Sequence, residues 1–483
     1  MDLLAIETFP WTPHLETAAE VCITEAEVGR SVGFAFIHVD NPDLGEPSLR
    51  GRIRGENPKN KVARLMRLLR SQGVTSIETP ELPAATRRLA REFATQHIVR
   101  IATIDDVRRL LYKDAPLGIG IASSLIHHTQ DPLPDVTRLR GLIARYLSAS
   151  ATVFESAFAL IREYRPKTVL AFNGRFACTK PIVEAARQLE AECLLHERGA
   201  TVERYIVRRG SLHDFALDRR CIAEMWAQAP AERAEVGRSF FARRRQGDGI
   251  GWQSFTGRQR QGFVSPRRHS RRIVYFSSCN DEYASVDARP DTCFDSQRHA
   301  IEFLVEWTRD QPDAELVIRL HPNLQGKPDS DPRYWESLRE QNVIIEGPES
   351  ETDSYALAES ADLVVTYGST MGVEAAFLGK PVLLLCDSRY SGLDIVYEPK
   401  TPEEVVALLC QSALPPKPIE NCLPYGYYAL TFGTPYRFYQ PKSLFEGSLM
   451  GITLTMDHDY WLRFRKSSVG QCLIKARDRV RGS

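Results

Sequence analysis

The chain has 483 residues, and its 62 Lys plus Arg balance its 62 Asp plus Glu, so its formal charge at neutral pH is zero. That balance argues against a strongly basic nucleic-acid binder, and 43% hydrophobic with 26% charged residues is the make-up of a cored globular protein, not a disordered one. No apolar run approaches the roughly 18 to 20 residues of a membrane span, the stretch PVLLLC at Pro381 to Cys386 being among the longer ones. At roughly 100 to 200 residues per domain, the length calls for two or three domains. The opening MDLLAIETFP lacks the basic start and apolar stretch of a secretory signal, so a cytoplasmic location is expected. Ten cysteines lie scattered without a Cys-x-x-Cys pair, which fits reduced thiols better than a disulfide framework or a zinc site.

In chain order, Leu3 to Ile6 reads as a strand, Phe9 to Pro13 as a loop of Pro and aromatics, and Phe34 to Val39 as a second strand after a helix. Apolar positions at helical spacing recur over 59–72, with Val62, Leu65, Leu68 and Leu69, and over 138–163, with Leu142, Leu147, Phe154, Phe158 and Ile161. Short apolar runs lie at Ile98 to Ala102, Val169 to Phe172 and Cys193 to Leu195. This alternation predicts a parallel sheet with helices on both faces. From 236 to 271 arginines crowd among Gly, Gln and Ser, which predicts a linker or surface loop. Arginine density also suits a nucleic-acid or anionic-membrane patch, but Trp252 and a few Phe are the only stacking aromatics, and no nucleic-acid partner is expected.

A second alternation follows, with strands expected at Ile273 to Phe276, Leu316 to Leu320, Val343 to Glu346, Leu363 to Tyr367 and Val382 to Cys386. Beyond Pro415 the chain turns aromatic, and a last helix is expected near Leu444 to Met450. The predicted fold class is α/β: two doubly wound, Rossmann-like domains facing across a cleft. The expected divisions are an acceptor-side domain over 1–235, the Arg-rich linker over 236–271, a nucleotide-binding domain over 272–415, and a carboxyl-terminal segment over 416–483 that crosses back.

Ligands of open α/β sheets bind beyond the carboxyl ends of the strands, so residues at those ends are the candidates. Gly368, Ser369 and Thr370 lead into a helix bearing Glu374. A glycine for close approach, two hydroxyls and a helix start suit a phosphate, although Ser and Thr cap helices in any protein. Glu374, one turn on, is placed to meet ribose hydroxyls. Arg319 and His321 stand two apart at a strand end, in VIRLHPN, and are expected on one face against a departing phosphate; a structural arginine and a core histidine are the plain alternative. FSSCNDEY at 276–283 puts Ser277, Ser278, Asn280 and Glu282 near the same ligand, or merely caps a helix.

VIRLHPN, followed by SADLVVTYGSTMGVEAAFLGKPVLLL, resembles the nucleotide-binding half of GT-B glycosyltransferases of bacterial surface-polysaccharide assembly. The pattern is similar to capsule Kdo transferases, bacterial sialyltransferases and CDP-glycerol glycerophosphotransferases. The resemblance covers about 270 to 400 and implies that His321 with Pro322, and Ser369 with Thr370, grip the phosphate of a nucleotide-activated donor while Glu374 contacts ribose. A nucleotide sugar, with a cytidine nucleotide favoured, is then the donor substrate, no separate cofactor is expected, and a saccharide or lipid-linked molecule is the acceptor. Peripheral association with a membrane is a further expected partner. In the first half, Asn173 and Arg175 in FNGRFA and Glu197 and Arg198 in HERGA lie at strand ends as substrate contacts, with an Asn-Gly turn and a plain ion pair as their alternatives. His14 and Asp40 are rival general bases. No metal ligands are singled out, so metal-independent transfer is expected. A nucleotide-sugar epimerase and a non-catalytic nucleotide-sugar-binding assembly subunit remain as alternative functions.

Overall fold

The computed structural model describes residues 1–44, 58–250, 254, 256–286 and 292–454. Trp252 and the end of the expected last segment, 455–483, lie outside the described residues. The first sheet draws on β1 (Leu3–Glu7), β2 (Val32–Phe36), β3 (Thr75–Ile77), β4 (Thr168–Phe172), β5 (Glu192–Arg198) and β6 (Arg204–Arg209). The second draws on β7 (Arg271–Phe276), β8 (Ala314–Arg319), β9 (Val343–Glu346), β10 (Leu363–Thr366) and β11 (Val382–Leu384). β12 (Thr434–Pro435) returns to the first sheet, and β13 (Tyr439–Pro441) pairs with β14 (Gly447–Leu449) as a hairpin.

The spatial orders are β12-β6-β5-β4-β1-β2-β3 and β11-β10-β7-β8-β9. In each sheet the chain moves outward over three strands and then returns to the other side of the first. The reversal falls between β1 and β4 in one domain and between β7 and β10 in the other, and such switch points are where crevices for ligands open. The two doubly wound α/β domains expected from the sequence are therefore present.

Strands covered by helices on both faces must be apolar throughout, and β1 (LLAIE) and β8 (AELVIR) have every residue buried. The charges within them need partners. Arg272 of β7 and Glu315 of β8 stand in register, with Nε and Oε1 2.6 Å apart and both side chains at most 1% exposed. Removing either partner of such a pair costs about 3 to 5 kcal/mol.

Four expectations are corrected. The second strand starts at Val32, not Phe34. Ile98 to Ala102 is the end of helix Ala84–Ile98 and the turn after it, not a strand. Leu444 to Met450 holds β14, because the backbone pairs with β13 and not with itself. The expected linker 236–271 contains most of helix Arg233–Arg245, whose Phe240 and Phe241 are buried under the arginines.

The domain divisions move accordingly. Ile222 of helix Phe215–Gln228, with Phe240 and Phe241, packs into the second domain's core beside Val274, Val373, Tyr425 and Tyr428. The first domain thus ends near β6, not at 235, and the chain crosses between domains just after Arg209. It crosses again after helix Leu423–Thr431, where Gly433 has φ of 90° and a Cβ would stand 2.5 Å from the Tyr205 carbonyl. The returning segment is held by Glu20, whose buried carboxylate accepts the amides of Arg437 (2.7 Å), Phe438 (2.9 Å) and Tyr439 (2.8 Å). Leu449 and Leu454 then join Val62, Leu65 and Leu69 in the first domain's core.

Candidate active site

The loops after β7, β8 and β10 leave the second sheet at one edge and are knitted together by hydrogen bonds. The Ser277 hydroxyl accepts the backbone amide of His321 at 2.8 Å. The Ser278 hydroxyl donates to the Tyr367 carbonyl at 2.7 Å. Asn280 donates to Asp329 at 2.8 Å, and Asn323 donates to Glu282 at 3.2 Å. Gly368 takes φ of 80°, and a Cβ there would stand 2.2 Å from the Tyr283 hydroxyl, which donates to the Gly368 carbonyl at 2.9 Å. The Ser369 amide donates to Thr366 Oγ1 at 3.0 Å and its carbonyl accepts the Tyr390 hydroxyl at 2.6 Å. Thr370 stays exposed at the start of helix Met371–Phe377.

His321 lies at the centre of these loops. Its Nδ1 accepts the Asn323 amide at 3.1 Å and is 3.5 Å from Cys279 Sγ, which puts the proton of the neutral ring on Nε2. Burial, with the charges of Lys327, Arg319 and Arg244, depresses its pKa to about 4. The ring is neutral at pH 7 and sits in a positive field, which favours a phosphate beside it. Lys327 is itself buried against Asp281, with Nζ 2.8 Å from Oδ2.

Two expected contacts take other partners. Arg319 does not share a face with His321: it is 2% exposed, and its guanidinium reaches sideways to the carbonyls of Gly347 and Ser350 beyond β9. Carbonyls left unpaired where a strand ends need donors, and a buried arginine supplies several. Its charge reaches the site but its hydrogens do not. Glu374 is 2% exposed, bound to the Tyr355 hydroxyl and 3.4 Å from Arg244, so it ties helix Arg233–Arg245 to helices Ser354–Ser360 and Met371–Phe377 instead of facing an open ribose site.

At the first sheet's edge, Asn173 and Gly174 form a turn with φ of 56° and 78°. Asn173 Nδ2 donates to Glu197 at 2.7 Å, and the Arg198 amide donates to the other Glu197 oxygen at 3.0 Å. His14 stacks on Phe172 with ring centres 4.0 Å apart, and its Nδ1 lies 3.3 Å from Glu197. Burial lowers the His14 pKa to about 4 against the pull of Glu197. Burial opposes ionisation of Glu197 too, but His14, the Arg198 amide and Asn173 together hold it below the usual carboxylate range. Arg198 lies over the Phe445 ring at 5.2 Å. Asp40, the rival base, has both oxygens taken by Arg145, at 3.1 and 3.2 Å, and is exposed.

Arg175 links the two edges. Its Nη1 lies 3.1 Å from the Ser123 hydroxyl and 3.5 Å from the Ser285 carbonyl of the second domain. His14, Asn173, Glu197 and Arg198 thus lie together at the first sheet's edge, and Ser277, Asn280, Glu282, His321, Ser369 and Thr370 lie in the loops at the second sheet's edge.

Residues 268–404 match a family model described as capsule polysaccharide biosynthesis protein. The part in surface-polysaccharide synthesis expected from VIRLHPN and its partner string is thereby supported. Among solved structures, the chain is similar to a β-Kdo 2,4 transferase, KpsC, of Thermosulfurimonas dismutans, at 16% identity and a TM-score of 0.35 over 54% of this chain and 79% of that one. It is also similar to the UDP-GlcNAc 2-epimerase of Neisseria meningitidis, at 11% identity and a TM-score of 0.24 over 90% and 95% of the two chains. The glycosyltransferase SnogD of Streptomyces nogalater matches at 13% identity and a TM-score of 0.22 over 90% and 96%. At such identities, what those proteins bind remains their own. No curated protein matches.

The matched stretch also holds groups that sequence reasoning passed over. Tyr283, the last residue of FSSCNDEY, closes over Gly368, and Lys327 charges the His321 surroundings, but neither was singled out. Asp329-Ser330-Asp331 is an Asp-x-Asp string that invites a metal reading; here Asp329 accepts from Asn280 while Asp331 caps the next helix through the Arg333 amide. A second such string, Asp457-His458-Asp459, lies outside the described residues. Among the described residues, no three His, Cys, Asp or Glu side chains are grouped to hold an ion.

Proposed function

We propose that the protein is a GT-B-type glycosyltransferase that moves a sugar from a nucleotide-activated donor to a saccharide or lipid-linked acceptor in surface-polysaccharide synthesis. One observation carries this reading: in the matched stretch, a neutral histidine in a positive field, the serine hydroxyls and the Gly368 turn gather where the strand order reverses.

In this reading His14, whose Nδ1 lies 3.3 Å from Glu197, removes the acceptor hydroxyl proton through Nε2. The freed oxygen attacks the anomeric carbon, the bond to the donor phosphate breaks, and its electron pair leaves with the nucleotide. His321 Nε2–H and the hydroxyls of Ser369 and Thr370 meet the charge that grows on that phosphate, with Lys327 and Arg319 adding to the field. His14 then returns its proton to solvent. Asn173, Arg175 and Arg198 line the acceptor side, and the paired domains exclude water that would hydrolyse the donor. Protein groups carry the leaving-group charge, so a chelator leaves the rate unchanged. No helix among the described residues is long and apolar enough to cross a membrane; a cytoplasmic enzyme that meets a lipid-linked acceptor at the membrane surface accords with this.

A thermal-shift series with CMP, CDP, UDP, GDP and their sugars tests the reading. A ligand at about 100 times its dissociation constant adds about 2.7 kcal/mol of stability, and a cytidine nucleotide is expected to give it. If every nucleotide leaves the melting temperature unmoved, the transferase reading fails.

A further inference from the structure

Buried hydrogen-bonding atoms are nearly always paired, so a group of unpaired ones calls for an explanation. Three neighbouring side chains at the domain junction carry such atoms: Arg175 Nε after β4, Arg208 Nε and Nη2 on β6, and His213 Nε2 at the first crossing between domains. Each is shut away from solvent without a hydrogen-bond partner among the described residues. Leaving one such donor unmet costs about 1 to 3 kcal/mol, and four together are a heavy loss for a structure to carry without return.

Cations predominate around His213, while Arg175 also feels the carboxylates of Glu197, Asp43 and Glu282 without an ion pair to any of them among the described residues. The charges that act on His213 come from Arg175, Arg389, Glu197 and Arg208, three guanidinium groups to one carboxylate. Arg175 makes no ion pair among the described residues; its Nη1 meets only the neutral Ser123 hydroxyl and the Ser285 carbonyl. Arg208 spends Nη1 on Asp218 at 2.7 Å, and Arg389 takes the other oxygen of the same carboxylate at 2.8 Å, so one negative charge is shared between two positive ones. Burial and these cations depress the His213 pKa to about 4, against the weaker opposing pull of Glu197.

We propose that Arg175, Arg208 and His213 form a second anion site, separate from the nucleotide seat, that takes a compact oxyanion, phosphate or carboxylate, carried by a substrate. Guanidinium groups suit such a ligand because their planar donors match two oxygens at once. The site spans β4, β6 and the crossing into the second domain, and Ser285 of that domain covers Arg175. The oxyanion enters when the domains part and is held when they meet. That it belongs to a substrate rests on the transferase reading; the anion site itself does not.

Inorganic phosphate and glucuronate are titrated calorimetrically into the full chain at constant ionic strength. The parent is compared with Arg175→Gln, His213→Gln and the double variant Ser369→Ala/Thr370→Ala, each checked by circular dichroism. Saturable binding of at least one probe is expected, weakened about tenfold or more by Arg175→Gln and by His213→Gln, and unchanged within about twofold by the Ser/Thr double variant. Which probe binds tells phosphate from carboxylate. Absence of saturable binding of either probe, or equal binding in the Arg175 and His213 variants, overturns the site. Binding lost only in the Ser/Thr double variant places the anion at the nucleotide seat; it overturns the second site and spares the transferase reading. A chain that holds an oxyanion through Arg175 but binds no nucleotide does the opposite, keeping the second site and losing the transferase reading. If Arg175→Gln does not fold, Arg175→Lys and His213→Gln decide the matter.

Discussion

Acidification should destabilise this protein through His14 by an amount that follows from its position. The ring is 8% exposed, stacked on Phe172, and its pKa falls to about 4 from 6.5 because burial disfavours the cation. Above pH 6.5 the ring is neutral in both folded and unfolded chains and contributes no pH dependence. As pH falls from 6.5 towards 4 the unfolded chain takes up the proton and the folded one does not, so stability is lost across that window and the loss is complete below it. At pH 5 the difference amounts to about 2 kcal/mol, and its ceiling is about 3 kcal/mol. Urea denaturation at pH 7 and pH 5, on the parent and on His14→Asn, measures it. The acid-induced loss in the variant should be smaller by about 2 kcal/mol, while its turnover falls by about 10²-fold or more at both pH values because the proton acceptor is gone. Equal acid losses in the two proteins would mean that the ring is solvated, and the case for a neutral base beside Glu197 at pH 7 would go with it.

Ser369→Ala/Thr370→Ala should abolish nucleotide-induced thermal stabilisation while the nucleotide-free melting temperature moves by no more than about 1 to 2 °C; an unchanged nucleotide shift would remove the phosphate seat. Arg319→Ala should act on stability first, lowering unfolding free energy by about 3 kcal/mol as the Gly347 and Ser350 carbonyls lose their donors, and denaturant titration reads this directly. Because Arg319 also adds to the positive field that depresses the His321 pKa, that pKa should rise in the variant, seen by NMR titration of the ring. Glu20→Ala leaves the amides of Arg437, Phe438 and the buried Tyr439 without their acceptor and should cost about 1 to 3 kcal/mol, with faster proteolytic cleavage within 436–454 as its signature.

The second domain was legible in the sequence because strands covered on both faces are unbroken apolar runs, and β9 begins and ends where the pattern placed it. The helix at Arg233–Arg245 was not, since its basic surface outweighs the two phenylalanines that bury it. β14 was missed because three residues are too few to show a period, and its pairing comes from β13. At the site, backbone-driven features such as the Gly368 turn could be read from residue type. The direction of a long side chain could not: two-residue alternation places Arg319 beside His321, but the acceptors that capture it belong to the end of β9, 28 residues further on. Asp40 lost its claim in the same way, to an arginine 105 residues away. His213 has no string around it at all, and only the route of the chain between domains gives it neighbours.

The double crossing also bears on how two-domain chains of this kind diversify. The first domain is finished by β12 and by Leu449 and Leu454, and the second by helices that precede β7, so neither is a continuous stretch of gene. A recombination event that swapped residues 272–415 alone would leave helices Phe215–Gln228 and Arg233–Arg245 facing a foreign surface. Shuffling that preserves a working protein has to carry roughly 215–432 as one cassette and leave the tail beyond Gly433 with its original partner.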